Sequence, residues 1–388
     1  MSESLPTRSL PQVDQRELEL TRRPVEASRH APGYIYGSQE VFDLEKERLF
    51  MQDWLLVGRE EEVENPGDYF THNVMGEPIV VARHEDGKVY VYYNQCRHRG
   101  VEVAQGAGNT KRFKCPYHAW TYDLDGTLSG APFMKETAGF DPSMLPLRPL
   151  KVGIWAGWIF ASFNPRVGPL EKHVAFLEAE FGDIRMQDCR LAHKFVLELD
   201  CNWKFVYENL LDNYHVGTLH AATIGKLQKS ADRKFNLRPE GRLSVHYGAK
   251  TITPDGVSLV GKMPWLENQS DYFARTGFVP PNLSILVRCD FVRPFVHWPI
   301  APGRTRSFAY YMFPKEKFSQ PGFAESVKVY IEYASKVLEE DRMMVESLQR
   351  AMTTRGYEPG PMSTKETSIH HLVKYHLDRL FPAASDQS

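Results

Sequence analysis

Two short segments, CRHRG and CPYHAW, each pair a cysteine with a histidine, and this pairing constrains the chain more than any other feature. Cys96 and His98 stand in the first segment and Cys115 and His118 in the second, with sixteen residues between His98 and Cys115. Two thiolates and two imidazoles brought together can hold a soft metal centre, either tetrahedral zinc or a two-iron cluster. A pair of segments that binds no metal is the third alternative.

The distribution of the four ligands favours the cluster. Structural zinc sites usually group like ligands, as C-x₂₋₄-C followed by H-x₃₋₅-H. Here each segment carries one ligand of each kind, so each can give its thiolate to one iron and its imidazole to the other. This is the arrangement of a Rieske [2Fe–2S] centre, in which two cysteines bind one iron and two histidines bind the second.

Both segments are predicted to be loops of a small antiparallel β-domain. The runs PIVVARH (78–84) and KVYVYYNQ (88–95) are β-branched and aromatic, and the turn EDG (85–87) between them is a hairpin signature. TYDLDGT (121–127) predicts a second hairpin that turns at its Asp-Gly pair. The first domain is therefore expected to present CRHRG and CPYHAW at the ends of its strands.

Charge and cysteine usage exclude several classes of protein. The 47 basic and 49 acidic side chains give a net charge of −2, which provides no field for binding nucleic acid or an anionic membrane. There is no run of about 18 uncharged apolar residues for a membrane span, and no apolar stretch of a secretory signal at the N-terminus, so a cytoplasmic location is expected. The cysteines are too sparse for a disulfide framework and are expected to be reduced; they are Cys96, Cys115, Cys189, Cys201 and Cys289.

The pattern divides the chain into a polar arm (1–40), the β-domain (41–165) and a second domain (166–380). The arm lacks a core of its own and is expected to lie across a partner subunit. The second domain has strands in series with helices at both ends, which indicates an α+β fold on an antiparallel sheet. Its helical patterns cover 170–181, 202–219 and 323–352, and its strand-like runs cover 193–199, 243–253, 283–298 and 306–313.

A second group of metal-binding side chains lies in CNWKFVYENLLDNYHVGTLH (201–220). Two imidazoles and one carboxylate form the facial triad of non-haem Fe(II), which leaves positions open for O₂ and substrate. Asp212 and His215 are three residues apart and share a helix face. His215 and His220 are about 140° apart on a regular helix, so both can bind one ion only if the helix loosens, for which Gly217 is the candidate. Taken alone, the two histidines are more typical of ordinary polar helix residues.

The carboxylate of this triad is expected from the long C-terminal helix. Among the acids of EEDRMMVE, Asp341 is predicted as the ligand and Glu346 is its nearest rival. Asp212 is too close in sequence to the histidines and is assigned an orienting or bridging role. Any acid in this run could equally lie on a solvated helix face.

With both groups in place, the chain resembles the catalytic (α) subunit of Rieske non-haem iron oxygenases, the ring-hydroxylating family. The resemblance covers roughly residues 40–350 and is carried by CRHRG…CPYHAWTYDLDG, NWKFVYENLLDNYHVGTLH and EDRMMVESLQ. It implies a Rieske β-domain joined to a helix-grip domain, usually in trimers. It also implies roles for nine residues: Cys96, His98, Cys115 and His118 bind the cluster, His215, His220 and Asp341 bind the iron, Asp212 links the iron to the neighbouring subunit's cluster, and Asn209 lies near the iron.

The resemblance further implies the reaction. Electrons from NAD(P)H arrive through a separate reductase, often with a ferredoxin, because the chain has no GxGxxG fingerprint. The iron then uses O₂ to hydroxylate an aromatic substrate, with or without a carboxylate. Oxidative demethylation or hydroxylation of a quaternary amine is the alternative, and a Rieske electron carrier without oxygenase activity is the alternative of another class. A separate β-subunit is compatible with the chain.

The substrate pocket is expected to be apolar and to draw on Phe205, Leu210, Leu211 and the run SILVRCDFVRPFVHW. Arg288 and Arg293 in this run could hold a substrate carboxylate as a bidentate fork. Residues five apart on one strand face opposite sides, so at most one of them is expected to point inward, and a surface charge is the more ordinary role for each.

Overall fold

The computed structural model describes residues 13–229 and 233–382. The described part of the arm packs against its own chain. Helix α1 (Gln15–Arg22) lies on the C-terminal helix, with Leu18 fully buried. The Arg22 guanidinium donates to Asp378 at 3.0 Å and to the backbone carbonyl oxygen of Phe381 at 2.6 Å. Residues 13–33 therefore share the main core of their own chain, residues 1–12 lie outside the described part, and the contact with a partner subunit stays a prediction.

The first domain consists of three antiparallel sheets. Their strand orders are β1-β10-β9, β4-β3-β2-β5 and β6-β7-β8. The predicted hairpins are confirmed as the pairs β3–β4 and β7–β8. The strands are β1 (Leu55–Arg59), β2 (Asp68–Val74), β3 (Glu77–Arg83), β4 (Val89–Tyr93), β5 (Ala107–Asn109), β6 (Arg112–Lys114), β7 (Thr121–Asp123), β8 (Leu128–Gly130), β9 (Lys151–Trp155) and β10 (Trp158–Ser162).

The tip of this domain has a small core of its own. Val80, Tyr92, Phe113 and Tyr122 pack together beneath the CRHRG and CPYHAW loops. The other end of the domain shares the large core of the second domain, and the Asn282 side chain bonds the backbone of β1 at this junction. The two loops are therefore held on a rigid base that projects away from the main core.

The second domain is built on one seven-stranded antiparallel sheet, in the order β11-β17-β16-β15-β14-β13-β12. Its four central strands are buried along almost their whole length, because the first domain covers one face and helices cover the other. The strands are β11 (Cys189–Leu199), β12 (Lys234–Leu237), β13 (Leu243–Gly248), β14 (Phe273–Val279), β15 (Leu283–Arg288), β16 (Val292–Ala301) and β17 (Arg304–Pro314).

The helices complete the predicted α+β fold. α5 packs against β14, β16 and β17 and against α7 and α8, which sets the position of the chain that follows α5. No helix in the described ranges is long and apolar enough to cross a membrane. The remaining helices are α2 (Tyr34–Gly37), α3 (Gln39–Glu45), α4 (Leu170–Phe181), α5 (Trp203–Leu211), α6 (Val216–Leu219), α7 (Phe323–Met352) and α8 (Thr367–Leu380).

Two predicted elements are wrong in their extent. The single strand over 283–298 is two strands, because the turn Cys289–Phe291 closes a hairpin between β15 and β16. The single helix over 202–219 is broken into α5 and α6. Both interruptions lie next to candidate functional residues.

Candidate metal centres

The CRHRG and CPYHAW loops adopt the same turn twice. In each, the cysteine carbonyl accepts a hydrogen bond from the amide four residues later, at 2.9 Å from Gly100 and 3.0 Å from Ala119. Gly100 (φ 82°) and Ala119 (φ 59°) both take the left-handed backbone conformation that closes the turn. The repeated geometry points Cys96 and Cys115 inward from opposite sides of the tip.

The four candidate ligands separate into an inner pair and an outer pair. The thiols of Cys96 and Cys115 are buried, whereas the imidazoles of His98 and His118 are exposed. The two histidines approach each other through Nδ1, with 3.1 Å between the two atoms. Their Nε2 edges remain on the outside of the tip, available to a partner.

This arrangement fits two irons better than one zinc. A tetrahedral zinc would bring all four ligand atoms within about 4 Å of one another. In the described ranges, the only group of three or more His, Cys, Asp or Glu ligand atoms within 4.8 Å of one another lies in the second domain. The thiol pair and the imidazole pair are thus spread over more space than a single ion spans.

Two aromatic side chains at the tip were not predicted from the sequence. The Tyr122 hydroxyl accepts the Arg97 amide at 2.9 Å and lies 3.4 Å from Cys96 Sγ, to which it can donate when the cysteine is a thiolate. Trp120 stacks on the His98 ring with 5.0 Å between centroids. Burial and the neighbouring Cys115 raise the pKa of Cys96, which the Tyr122 hydrogen bond opposes. Hydrogen bonds to cluster sulfurs are a known means of setting the reduction potential.

The break between α5 and α6 brings the second group of ligands together. Asp212 ends α5 in extended backbone and accepts the Tyr214 amide at 2.6 Å, a local bond that competes with the helix. His215 and His220 then flank the four-residue helix α6, with 5.1 Å between their ring centroids. The predicted loosening at Gly217 is wrong, because Gly217 lies inside α6 and the break precedes it. For the same reason, Asp212 and His215 do not share a helix face.

Three ligand atoms converge in this second group. Asp341 on α7 places Oδ1 at 2.9 Å from His220 Nε2 and 3.6 Å from His215 Nε2. These three residues form the group whose ligand atoms all lie within 4.8 Å. The rival acid Glu346 points elsewhere and accepts the Asp200 amide at 3.3 Å. Two imidazole nitrogens and one carboxylate on one side of an ion fit ferrous iron with open positions.

The Nδ1 atom of each histidine in this group is held by a carboxylate. Asp212 Oδ2 lies 2.8 Å from His215 Nδ1, and Glu340 Oε2 lies 2.6 Å from His220 Nδ1. Such partners fix the tautomer that turns Nε2 toward a metal. Burial lowers the pKa of His220, but the hydrogen bonds and charge of Asp341 and Glu340 outweigh it and hold the pKa above its ordinary value.

Glu340 was not predicted as a functional residue. Thr223 donates to the same carboxylate oxygen at 2.8 Å and so fixes its position. The one signal in the sequence is that Glu340 directly precedes Asp341 on the helix, which turns the two side chains to either side of His220. That signal cannot be recognised without knowing where His220 lies.

A cavity of about 430 Å³ opens beside the triad. Asp341, Asn209 and Leu210 line it together with Phe195 and Phe295. Leu210 is thus where the sequence predicted it. Phe205 instead stacks on Tyr36 and lines a second cavity, and Leu211 is buried in the main core, so these two predictions are wrong.

Arg288 and Arg293 are both buried, with 2% and 3% of their surface exposed, so the expected surface charges are wrong. They lie on two paired strands and not on one. Arg293 pairs with Leu286, which is two residues from Arg288, so both arginines lie on the same face of the sheet. The Arg293 guanidinium lies 4.9 Å from the Phe295 ring centroid and 5.2 Å from that of Tyr311.

Residues 186–381 match the family of ring-hydroxylating alpha subunits, over its catalytic domain, and residues 53–144 match the Rieske [2Fe-2S] domain. The chain belongs to the Rieske-type ring-hydroxylating oxygenase family. This confirms the predicted resemblance, the fold and the oxygenase activity, and it sets aside the electron-carrier alternative. The enzyme accordingly uses a [2Fe–2S] cluster, a mononuclear non-haem iron, O₂ and electrons from a reductase, and acts on a small molecule.

Known members of the family resemble this chain over different lengths. A carnitine monooxygenase oxygenase subunit of Acinetobacter pittii is 30% identical, over 89% of this chain and 94% of its own length. A benzene 1,2-dioxygenase alpha subunit of Pseudomonas putida is 37% identical, but over 47% of this chain and 42% of its own length. Among solved structures, a quaternary ammonium Rieske monooxygenase matches with a TM-score of 0.78 and 26% identity, over 97% of this chain and all of that chain.

Proposed function

We propose that this oxygenase hydroxylates a quaternary amine that also carries a carboxylate, a zwitterion of the betaine type. The observation that carries the proposal is the buried pair Arg288 and Arg293, which shares one face of the sheet near the iron site. The relatives support it, since carnitine monooxygenase matches over nearly its whole length and benzene dioxygenase over less than half.

An anion is needed to balance the charge of the two buried arginines. Within the described part of the chain, neither forms a salt bridge: Arg288 donates to the backbone carbonyls of Lys250 and Val287, and Arg293 Nε has no hydrogen-bond partner. A buried charge without a counter-charge is strongly unfavourable, and burial accordingly lowers the pKa of Arg293. A substrate carboxylate would provide the missing charge and match the planar guanidinium fork.

The cavity next to the triad suits the opposite end of such a substrate. Phe195 and Phe295 present aromatic rings to it. Aromatic faces attract quaternary ammonium groups. A substrate with its ammonium in this cavity and its carboxylate toward Arg293 would have its reacting carbon close to the iron ligands.

We assign the metal ligands as the sequence predicts. Cys96, Cys115, His98 and His118 would hold the cluster, and the other three ligands are His215, His220 and Asp341. When bound, the cluster supplies electrons and the iron activates O₂. Asp212 and Glu340 hold the two iron-facing imidazoles in the tautomer that leaves Nε2 free to bind, and Asn209 forms part of the cavity wall beside them.

We propose a homotrimer in which the tip of one subunit meets the catalytic domain of the next. The exposed His98 and His118 adjoin Tyr117, which is 54% exposed, and the same domain carries Phe133, which is fully exposed. Such uncovered rings are typical of a docking surface. Inter-subunit electron transfer is described for the quaternary ammonium monooxygenase with the same fold. A separate ferredoxin and a cytoplasmic location stay predictions.

An aromatic carboxylate is the second candidate substrate, because it would satisfy the same two arginines. A substrate panel separates the candidates: carboxylated quaternary amines, choline-like cations without a carboxylate, and benzoate-like acids, each with reductase and O₂. We expect product only from the carboxylated quaternary amines. Hydroxylated benzoate would favour the second candidate, and oxidation of the plain cation would contradict the role of the arginines.

Replacing Arg293 with glutamine is expected to raise the Kd for the carboxylated substrate about 10- to 100-fold, because a charged hydrogen bond of about 1.5–3 kcal/mol is lost. Titration calorimetry measures this with the iron content unchanged. Arg306→Gln is the matched control, since Arg306 is an exposed arginine of the same sheet that is paired with Glu198. An unchanged Kd for Arg293→Gln would remove this residue from the site.

Replacing Cys115 with alanine is expected to remove the visible absorption of the cluster and leave the mononuclear iron in place. The cluster site and the iron site lie in separate domains and pack on separate cores, so losing the cluster should leave the mononuclear iron bound. Cys189→Ala is the matched control, because Cys189 is an equally buried thiol in the second domain. A Cys115→Ala protein that keeps the cluster spectrum would contradict the ligand assignment.

A further inference from the structure

A second cavity of about 340 Å³ lies on the far side of Asn209 from the substrate cavity. Its wall carries an unusual number of titratable groups, among them Glu208, Asp212, His30 and Glu366. We propose that Glu208 is a proton-relay residue, which passes protons from His30 and solvent through this cavity toward the iron site. The inference rests on the oxygenase activity and not on the proposed substrate.

The oxygenase reaction needs a supply of protons at the iron site. Monooxygenation consumes two electrons and two protons: R–H + O₂ + 2 e⁻ + 2 H⁺ gives R–OH + H₂O. The electrons enter from the reductase through the cluster. Protons need a route of their own once substrate fills the cavity beside the triad, because His220 is 1% exposed and Asp341, which is 22% exposed, lines that cavity.

Glu208 is placed to hold a proton in reserve. It is a buried carboxyl on α5, and the Tyr36 hydroxyl donates to it at 3.1 Å. The nearby Lys204 ammonium does not neutralise it by contact, because Lys204 is paired with Glu45. Burial raises the pKa of Glu208 to about 7, although Lys204 and Tyr36 lower it. A carboxyl with a pKa near 7 both gives and takes a proton under neutral conditions.

The outer end of the cavity reaches solvent at His30. The imidazole is 32% exposed and lies 3.4 Å from Glu366, which is 12% exposed. Burial lowers the pKa of His30, but the hydrogen bond and charge of Glu366 outweigh it and hold the pKa above its ordinary value. His30 can therefore return a proton to Glu208 after each transfer.

The inner end reaches the iron site at Asn209 and Asp212. Asn209 lines both cavities, and Asp212 holds His215 at 2.8 Å. The second cavity is large enough to hold several waters, with polar partners at both ends. Glu208 releases its proton to this water and becomes a carboxylate, the proton leaves beside Asn209, and His30 restores the acid.

Glu208→Gln tests the relay, since glutamine keeps the shape and the Tyr36 contact and cannot exchange a proton. We expect product formation in a single turnover of prereduced enzyme to slow at least about 10-fold. Iron content and the cluster spectrum should stay unchanged. Glu180→Gln is the matched control, because Glu180 is a carboxylate bonded to Ser244 and Asn236 away from both cavities.

The pH dependence of the single-turnover rate distinguishes proton transfer by Glu208 from a purely structural role, which would not change it. The protonated form is the donor, so the contribution of Glu208 is full below its pKa of about 7 and is lost as the pH rises through it. Glu208→Gln should lack this fall, and Tyr36→Phe should shift it to higher pH, because the Tyr36 hydrogen bond lowers the pKa. The groups that interact with Glu208 are Lys204, Tyr36, His30, Glu366, Tyr207 and Tyr357; Glu45 lies behind Lys204, and Asp212 lines the same cavity.

Infrared spectroscopy tests the reserve proton without any substrate. A protonated-carboxyl band should weaken as the pH is raised through about 7, and Glu208→Gln should lack this component. A wild-type band with a slowed Glu208→Gln enzyme supports the relay. A normal single-turnover rate and an unchanged pH profile in Glu208→Gln would overturn it, whatever substrate the enzyme proves to use.

Discussion

Replacing Asp341 with alanine is expected to yield a protein that keeps its cluster and lacks the mononuclear iron. The Asp341 carboxylate lies 2.9 Å and 3.6 Å from the two imidazole nitrogens that would share the ion. Two imidazoles alone are expected to bind ferrous iron weakly, because the site then lacks one of its three protein ligands. Iron analysis should fall from about three to about two atoms per chain, with the cluster absorption retained and all product formation lost.

The control for this experiment lies on the same helix. Glu346→Ala removes an acid of similar exposure five residues further along α7, whose carboxylate accepts a backbone amide and does not reach the histidines. It should retain the full iron content. Loss of iron in Glu346→Ala together with retention in Asp341→Ala would reverse the assignment of the two acids.

Replacing Asp212 is expected to have nearly as large an effect on activity with no loss of metal. Removal of a carboxylate that orients a metal-binding histidine typically costs about 10- to 100-fold. Asp212 is also assigned the contact to the neighbouring subunit's cluster, so Asp212→Ala should lose nearly all turnover. The decisive measurement is the rate at which the reduced cluster is reoxidised on adding substrate and O₂, with both metals quantified.

Two further variants separate the role of the charge from the role of the turn. Asp212→Asn can still accept the Tyr214 amide and so keeps the break between α5 and α6, but it offers His215 an amide in place of a carboxylate. It should be as inactive as Asp212→Ala. Asn213→Ala, a change of the adjacent residue in the same turn, should be near normal. Full activity and full metal content in Asp212→Ala would contradict the role of Asp212 as the link between the cluster and the iron.

The cluster loops could be recognised from the sequence because their chemistry is local. Cys96 and His98 lie within three residues of chain, and a hairpin on either side is enough to predict that their loop projects from the ends of the strands. The same holds for Asp212 and His215, although the structure joins them through a broken helix and not through one helix face. Two residues three positions apart stay close in space, so the wrongly predicted helix does not change the prediction that Asp212 lies beside His215.

Three features followed only from the packing of distant segments. Glu340 reaches His220 across 120 residues of sequence, because α7 crosses the end of α5. Arg288 and Arg293 share a face, because a hairpin turn separates them onto paired strands. The titratable cavity gathers Glu208, His30 and Glu366 from three remote parts of the chain.

The sequence by itself determined which metal centres this protein can hold, since thiolates, imidazoles and carboxylates at short spacing are chosen by ligand chemistry. Only the tertiary structure decided which acid completes the triad, how each imidazole is oriented and where buried charge lies without a partner. The physical reason is that ligand type belongs to the individual side chain. Orientation, burial and charge compensation depend on neighbours that the fold brings together from far along the chain.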